Sequence, residues 1–135
     1  MPNLNLYLIA GYSDEQKSRL LGRLTDAVVD SLDAPRSAVR IFLIELQEKH
    51  ISVGGITLSL LREQQAPDVV HAGPTIHAML IAGRNERQKS ALIASLTAAV
   101  GETLGIPADT IRIIVADIPN TDFGMNGVTA KSLGR

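Results

Sequence analysis

The 135-residue sequence contains no cysteine, so disulfides and thiolate metal sites are excluded. Such a composition suits a reducing compartment, and we expect a cytoplasmic protein. Neither sign of charge is in excess, since 13 Lys and Arg residues accompany 14 Asp and Glu residues. This balance argues against a nucleic-acid partner. A basic leader and a long apolar run are both missing, so we expect no signal peptide and no membrane partner.

Several familiar catalytic patterns are also missing from the sequence. The histidines at positions 50, 71 and 77 do not have metal-ligand spacing. No Gly-x-Ser-x-Gly motif is present, and Gly54-Gly55 is not followed by the Gly-Lys-Ser/Thr of a phosphate-binding loop. We therefore predict neither a metal site nor an organic cofactor.

The sequence contains an internal repeat. A shift of 72 residues, which takes Pro2 to Pro74, pairs the two halves without a gap, and roughly 20 of about 62 paired positions are identical. We predict a first repeat at 1–61, a linker at 62–73 and a second repeat at 74–135, within one compact domain. The matched segments include Leu8-Ile9-Ala10-Gly11 with Leu80-Ile81-Ala82-Gly83, Gln16-Lys17-Ser18 with Gln88-Lys89-Ser90, Pro35 with Pro107, and Arg40 with Arg112.

Each repeat has the pattern of a β-α-β unit. Short apolar runs predict first strands at 4–10 and 76–82, and second strands at 39–46 and 111–118. Capping-box pairs, Ser13 with Gln16 and Asn85 with Gln88, predict the starts of the intervening helices. The residues expected on the core-facing sides of the helices are Leu20, Leu21, Leu24, Ala27, Val28 and Leu32, then Leu92, Ile93, Leu96, Ala99, Val100 and Leu104.

These elements predict an α/β (α+β) fold with one four-stranded sheet and two helices on one face. The strands within a repeat should be parallel, with a right-handed crossover. Hairpin turns are expected at Gly54-Gly55 and Asn126-Gly127. The strands are apolar at nearly every residue, but two helices cover only one face of such a sheet. The bare face therefore predicts an oligomer.

Pro2 is the first candidate for chemistry. A small second residue permits removal of Met1, which would leave a secondary amine on a rigid ring. Burial beside arginines would lower the pKa of this amine and make it a base near neutral pH. From the residues alone, the alternative that Pro2 merely follows the initiating methionine stays open.

The two repeats together resemble the 4-oxalocrotonate tautomerase family. The segments that carry the resemblance are Pro2, 8–17, 31–35, Val39-Arg40, Gly54-Gly55, Pro74, Gly83-Arg84, Gln88-Lys89, Arg112 and 122–124. The resemblance implies that an amino-terminal proline moves a proton along a conjugated 2-hydroxy acid. It also implies that arginines bind the substrate oxygens and an aromatic side chain lines the site. Family members are usually short hexameric chains, so a fused chain implies a homotrimer, or pseudo-hexamer.

Carried over to this sequence, the family pattern is divided between the repeats. The first repeat has Pro2, but Tyr12 stands where the family has arginine and Ile51 where it has phenylalanine. The second repeat keeps Arg84 and Phe123, but the nitrogen of Pro74 is an amide without basicity. We predict one active site per chain, and the residues assigned to substrate binding or catalysis are Pro2, Arg84, Arg40, Arg112, Phe123, Tyr12 and Ile51.

The arginines also have physical interpretations of their own. Arg84 precedes the positive end of a helix, an unfavourable place for a cation unless an anion joins it. The alternative is a solvated loop arginine. For Arg40 and Arg112, a structural ion pair is as reasonable as contact with a substrate carboxylate. For Phe123 and Tyr12, simple packing is the alternative.

We predict an isomerase that interconverts enol and keto forms of a 2-hydroxy or 2-oxo acid, such as 2-hydroxymuconate. One alternative is a hydratase that dehalogenates 3-haloacrylates. Relatives with that chemistry carry a second arginine just before the position of Arg84 and a glutamate near the last turn, where this chain has Ile81 and Met125. Another alternative is a trimeric binding module without catalysis.

Overall fold

Two β-α-β units form the chain in a computed structural model, which describes residues 1–64 and 73–135. This confirms the predicted organisation of each repeat. The first repeat consists of β1 (Asn3–Ile9), α1 (Asp14–Leu32), β2 (Arg40–Leu46), β3 (Ser52–Val53), β4 (Ile56–Thr57) and α2 (Leu58–Glu63). The second consists of β5 (Thr75–Ile81), α3 (Glu86–Leu104), β6 (Arg112–Ile118), β7 (Gly124–Met125) and β8 (Val128–Thr129).

The four long strands form one sheet in the order β2-β1-β5-β6. Strands β1 and β2 are parallel, as are β5 and β6, so each helix crosses over between parallel strands as predicted. The two repeats join at the centre, where β1 and β5 pair antiparallel with Asn5 opposite His77. The sheet is thus continuous through both repeats, and the predicted four-stranded α+β fold is confirmed.

The repeated Gln-Lys dipeptide has two local roles. Ser13 caps α1, and its side chain accepts a hydrogen bond from the main-chain N–H of Gln16, whose side chain accepts from the N–H of Ser13. The ammonium of Lys17 lies 2.5 Å from a carboxylate oxygen of Glu45 and ties α1 to β2. The second repeat reproduces both features with Asn85, Gln88, Lys89 and Asp117. The predicted helix starts are therefore confirmed.

The core lies between the sheet and the two helices. The inward side chains of β1 and β5 are at most 1% exposed. Ile93, which we expected in the core, is 40% exposed, and that prediction is wrong. The neighbouring Leu92 and Leu96 face the sheet, and a helix turns about 100° per residue, which carries Ile93 outside the buried stripe. The buried helix residues are Leu20, Leu24, Ala27, Val28, Leu32, Leu92, Leu96, Ala99 and Val100.

The other face of the sheet has no helix against it in the described parts of the chain. Its side chains alternate with the core residues, so Phe42 on β2 and Ile114 on β6 point outward. Phe42 is 54% exposed and Ile114 is 51% exposed. This arrangement matches the expectation that one face of the sheet is left bare within a single chain.

The chain beyond the sheet strands forms small hairpins. Gly54-Gly55 and Asn126-Gly127 turn between short strands, and all four residues have positive φ, which confirms the two predicted turns. The first hairpin continues into α2, whose last two residues, 62 and 63, lie where the linker was expected to begin. The linker was expected at 62–73, and its residues 65–72 lie outside the described residues. No described helix has the length and apolar character needed to cross a membrane.

Candidate active site

A cleft of about 560 Å³ opens where the start of the first repeat meets the second repeat. The first repeat contributes Met1 and part of the turn before β2, and the second contributes the end of β5, the loop after it and Arg135. Because both repeats line the cleft, neither could form it alone. The lining residues are Met1, Pro35, Ser37, Ala38, Ile81, Ala82, Gly83, Arg84 and Arg135.

The loop after β5 places Arg84 in this cleft. Gly83 has φ of +133°, a conformation that L side chains rarely adopt, and it turns the chain out of the strand. Arg84 follows at once, and Asn85 then caps α3. Local geometry therefore brings the guanidinium to the mouth of the cleft.

The half-buried guanidinium of Arg84 has a protein partner. Its Nη1 donates a hydrogen bond to the main-chain oxygen of Leu32, the last residue of α1. The C-terminal end of a helix has unsatisfied carbonyl groups and a partial negative charge, so this is a favourable place for a cation. The expectation that Arg84 is unfavourably placed without an anion thus needs correction. Its remaining N–H groups are still available to a ligand.

Pro2 is buried at the start of β1, and its carbonyl oxygen accepts a 3.1 Å hydrogen bond from the main-chain N–H of Arg40. The α-amino group of Met1 lies just before it. Burial, and next the positive charges of Arg135 and Arg40, lower the pKa of this amino group below its ordinary value. The surroundings of the chain's start therefore favour a neutral amine.

Arg40 and Arg112 hold equivalent places in the two repeats. The main-chain N–H of Arg112 donates to the carbonyl oxygen of Pro74 at 3.1 Å, as that of Arg40 does to Pro2. Both residues are exposed. Within residues 1–64 and 73–135 neither guanidinium forms an ion pair, so the ion-pair interpretation has no support there. Within one chain, the main chain of Arg40 is therefore hydrogen-bonded to Pro2, and that of Arg112 to Pro74.

Of the seven predicted site residues, only Arg84 lines the 560 Å³ cleft. The other six, which are not among its lining residues, are Pro2, Arg40, Arg112, Phe123, Tyr12 and Ile51. Phe123 is half-buried, and its carbonyl oxygen accepts a 2.8 Å hydrogen bond from the N–H of Ala130. Ile51 lines a separate cavity of about 100 Å³ beside Gly73 and Thr75, at the start of the second repeat. Tyr12 is half-buried in the loop that precedes α1, at the position equivalent to Arg84.

Arg135 is a cleft residue that the sequence analysis missed. The main-chain N–H of Arg135 donates to the carbonyl oxygen of Ala130 at 2.9 Å, and the side-chain amide of Asn120 donates to the carbonyl oxygen of Arg135 at 3.0 Å. The repeat gave no signal for Arg135, because the 72-residue shift pairs it with Glu63, which lies outside the predicted first repeat.

Other surfaces of the described residues offer less chemistry. A depression of about 620 Å³ lies on the outer side of α3 and is lined only by residues of that helix, between Glu86 and Ala94. No three His, Asp or Glu side chains in the described ranges are grouped so that they could hold a metal ion. The cleft between the repeats is therefore the candidate active site.

The chain is similar to known tautomerases in sequence and in fold. The family described as "Tautomerase enzyme" matches residues 2–60 and again 74–132. The chain is 40% identical over 62 residues to 2-hydroxymuconate tautomerase from Pseudomonas sp. (strain CF600), which covers 46% of this chain and 98% of that protein. It is 45% identical to native fused 4-OT, with a TM-score of 0.88, covering 99% of this chain and 100% of the other.

A second solved structure, a fused 4-OT described as an asymmetric trimer, is 43% identical with a TM-score of 0.87. It covers 99% of this chain and 100% of its own. The match extends through both repeats rather than one. The chain therefore belongs to the tautomerase family, as a fused two-repeat member of the 4-oxalocrotonate tautomerase group, and it is an isomerase.

Proposed function

We propose that this chain interconverts enol and keto forms of a 2-hydroxy-2,4-dienoate such as 2-hydroxymuconate, with the ring nitrogen of Pro2 as the base. The observation that carries the proposal is the shared cleft, which is lined by Met1 at the start of one repeat and Arg84 of the other. Removal of Met1 would bring the free amine to Pro2. The two repeats then supply complementary halves of one site.

The chemistry requires a neutral amine. Burial and two nearby guanidinium groups lower the pKa of the amino group at this position, and the same surroundings would act on the Pro2 amine. Neutral Pro2 accepts the proton of the 2-hydroxyl group, or of the adjacent carbon, and returns it to a carbon further along the conjugated chain. The same nitrogen acts as base and then as acid, so no other proton carrier is needed.

The arginines stabilise the negative charge that forms during this transfer. Arg84 polarises the 2-oxo oxygen and the neighbouring carboxylate, where the dienolate charge collects. Its hydrogen bond to Leu32 holds the guanidinium before the substrate arrives, which reduces the entropy lost on binding. Arg40, beside Pro2, binds the second carboxylate. Phe123, which does not line the cleft within one chain, would contribute an apolar wall from a neighbouring copy.

We also propose that the working form is a homotrimer. The bare face of the sheet exposes Phe42 and Ile114, and a second and third copy would cover them. A similar fused 4-OT is described as a trimer. In such an assembly Phe123 and Arg112 could also approach the cleft of a neighbouring copy.

A Pro2→Ala variant tests the base directly. Alanine leaves a primary amine without the ring, and general-base catalysis by a positioned group is worth about 10²–10⁴ in rate. We expect kcat on 2-hydroxymuconate and on phenylenolpyruvate to fall at least about 100-fold while the oligomer stays intact. Intact mass spectrometry of the wild-type protein must show that Met1 is absent.

The internal repeat offers a matched control. Pro74→Ala changes the equivalent proline, whose nitrogen is an amide, so it should retain the wild-type kcat per folded molecule. Full activity of the Pro2→Ala variant, or retention of Met1 in an active preparation, would refute the proline-base mechanism.

A further inference from the structure

Arg135 contributes an additional positive charge to the cleft. It lines the same cleft as Arg84, although the two residues are far apart in the sequence. Its charge and that of Arg40 both act on the amino group at the chain's start. Two guanidinium groups, those of Arg135 and Arg40, therefore act on one amine, and Arg84 adds a further positive charge to the cleft. Such an accumulation of positive charge is unfavourable unless anions balance it.

The position of Arg135 is fixed by its main chain. Ala130, which is 0% exposed, accepts the N–H of Arg135 through its carbonyl oxygen and donates its own N–H to Phe123. Asn120 holds the Arg135 carbonyl oxygen from the other side. Ala130 therefore links the main chains of Phe123 and Arg135 through hydrogen bonds.

No carboxylate of the described residues neutralises the Arg135 side chain. Seven ion pairs occur in those ranges, and Arg135 is in none of them. Other exposed arginines, such as Arg23 and Arg36, do have acidic partners within 2.6 Å. Arg135 is also exposed, and it lines the cleft without such a partner among the described residues.

The internal repeat gives an independent comparison. The 72-residue shift pairs Arg84 with Tyr12. It pairs Arg135 with Glu63, which lies outside the segments matched to the family, 2–60 and 74–132. Neither cation of the cleft therefore has a basic counterpart in the first half of the chain.

We propose that Arg135 is a further substrate-binding residue, which binds the second carboxylate together with Arg40 and so makes the Pro2 site selective for dicarboxylates. This inference rests on the proposed function. Arg84 holds the 2-oxo end of the substrate, and Arg135 with Arg40 holds the other end. Two guanidinium groups on one carboxylate form charge-assisted hydrogen bonds that a monocarboxylate substrate lacks.

Two unsaturated acids of equal chain length test this division. Muconate (hexa-2,4-dienedioate) has a carboxylate at each end, and sorbate (hexa-2,4-dienoate) has one. We expect Arg135→Gln to raise the Kd of muconate about tenfold, since a hydrogen bond to a charged group is worth about that factor, while the Kd of sorbate changes less than about twofold. Calorimetric titration of the mature protein measures both constants.

Lys131→Gln is the matched control, because Lys131 lies on the same segment, is exposed and does not line the cleft. It removes the same charge and should leave both affinities unchanged. If Arg135→Gln behaves like Lys131→Gln, or weakens muconate and sorbate equally, the assignment is wrong.

Kinetics give a second readout. Arg135→Gln should raise KM for 2-hydroxymuconate and leave KM for phenylenolpyruvate nearly unchanged. Loss of one nearby positive charge should also raise the pKa of the Pro2 amine, so the acidic limb of the kcat/KM profile should move to higher pH. An unmoved limb would contradict the placement of Arg135 beside the amine. Activity in Pro2→Ala would instead refute the proposed function, and the muconate titration would still test Arg135.

Discussion

At the scale of single residues, Gly73 shows how closely the start of the second repeat packs. A Cβ added to Gly73 would lie 2.2 Å from the main-chain oxygen of Thr110. Thr110 is 4% exposed, and its hydroxyl donates to the carbonyl oxygen of Pro107, so it cannot move aside easily. Only glycine fits at this position without rearrangement.

We expect Gly73→Ala to lower the free energy of unfolding by about 1–3 kcal/mol, the usual cost of overpacking. Gly22 is the matched control, because it lies within α1 and an added Cβ would meet no atom within 4 Å. Gly22→Ala should raise stability by about 0.5–1 kcal/mol through helix propensity. Urea denaturation of both variants gives the comparison, and equal effects would contradict the packing at Thr110.

Individual site residues were predictable only in part. Pro2, Arg84 and Arg40 were proposed from the sequence because the repeat and the family pattern mark them. The bond from Arg84 to Leu32 was not predictable, because 52 residues separate them and only the packing of α1 beside the second repeat brings them together. Arg135 was missed for the same reason, since its position depends on how the last turn folds back.

At the scale of elements, the two capping boxes have equal geometry but unequal consequences. Ser13 and Asn85 make the same reciprocal hydrogen bonds with the third residue of their helices. Only Asn85 is adjacent to Arg84. The same local structure therefore supports stability in one repeat, and both stability and the proposed site in the other.

Ser13→Ala and Asn85→Ala should each cost about 1 kcal/mol of stability, as measured by thermal or urea unfolding. Turnover at a temperature where both variants are folded should fall more in Asn85→Ala, because the start of α3 holds Arg84 in the cleft. Ser18→Ala, at an exposed position within α1, serves as the control for loss of a serine. Equal turnover in the two cap variants would argue against this positioning role.

The elements were largely readable from the sequence because their signals are local. Apolar runs, caps and glycine turns predicted the strands and helices to within one or two residues. Errors arose where tertiary packing decides. The buried stripe of α3 is narrower than the pattern suggested, so Ile93 is exposed, and α2 continues into the region that was expected to be linker.

At the scale of the whole molecule, the bare sheet face favours association of copies of the chain. Phe42 and Ile114 lie on the outer strands β2 and β6, so exposed apolar side chains occur at both edges of the bare face. Water contact with such a surface costs about 25 cal/mol per Å². Association of copies through this face would remove that cost.

Phe42→Glu should therefore convert the proposed trimer to monomers and lower activity, because a buried carboxylate without a partner is strongly destabilising in an interface. Sedimentation velocity measures the assembly. Ile93→Glu is the control, since Ile93 is exposed on the helix side. If Phe42→Glu keeps the wild-type sedimentation coefficient, the sheet face is not the interface.

The antiparallel pairing of β1 with β5 also has a consequence for how such a protein can change. In an assembly of identical short subunits, any substitution appears in every catalytic centre at once, so a damaged loop disables them all. Here the two copies occupy one continuous sheet and are inherited together. If Pro2 is the base, as proposed, the repeat whose proline nitrogen is an amide is free to change in sequence while the other repeat retains catalysis.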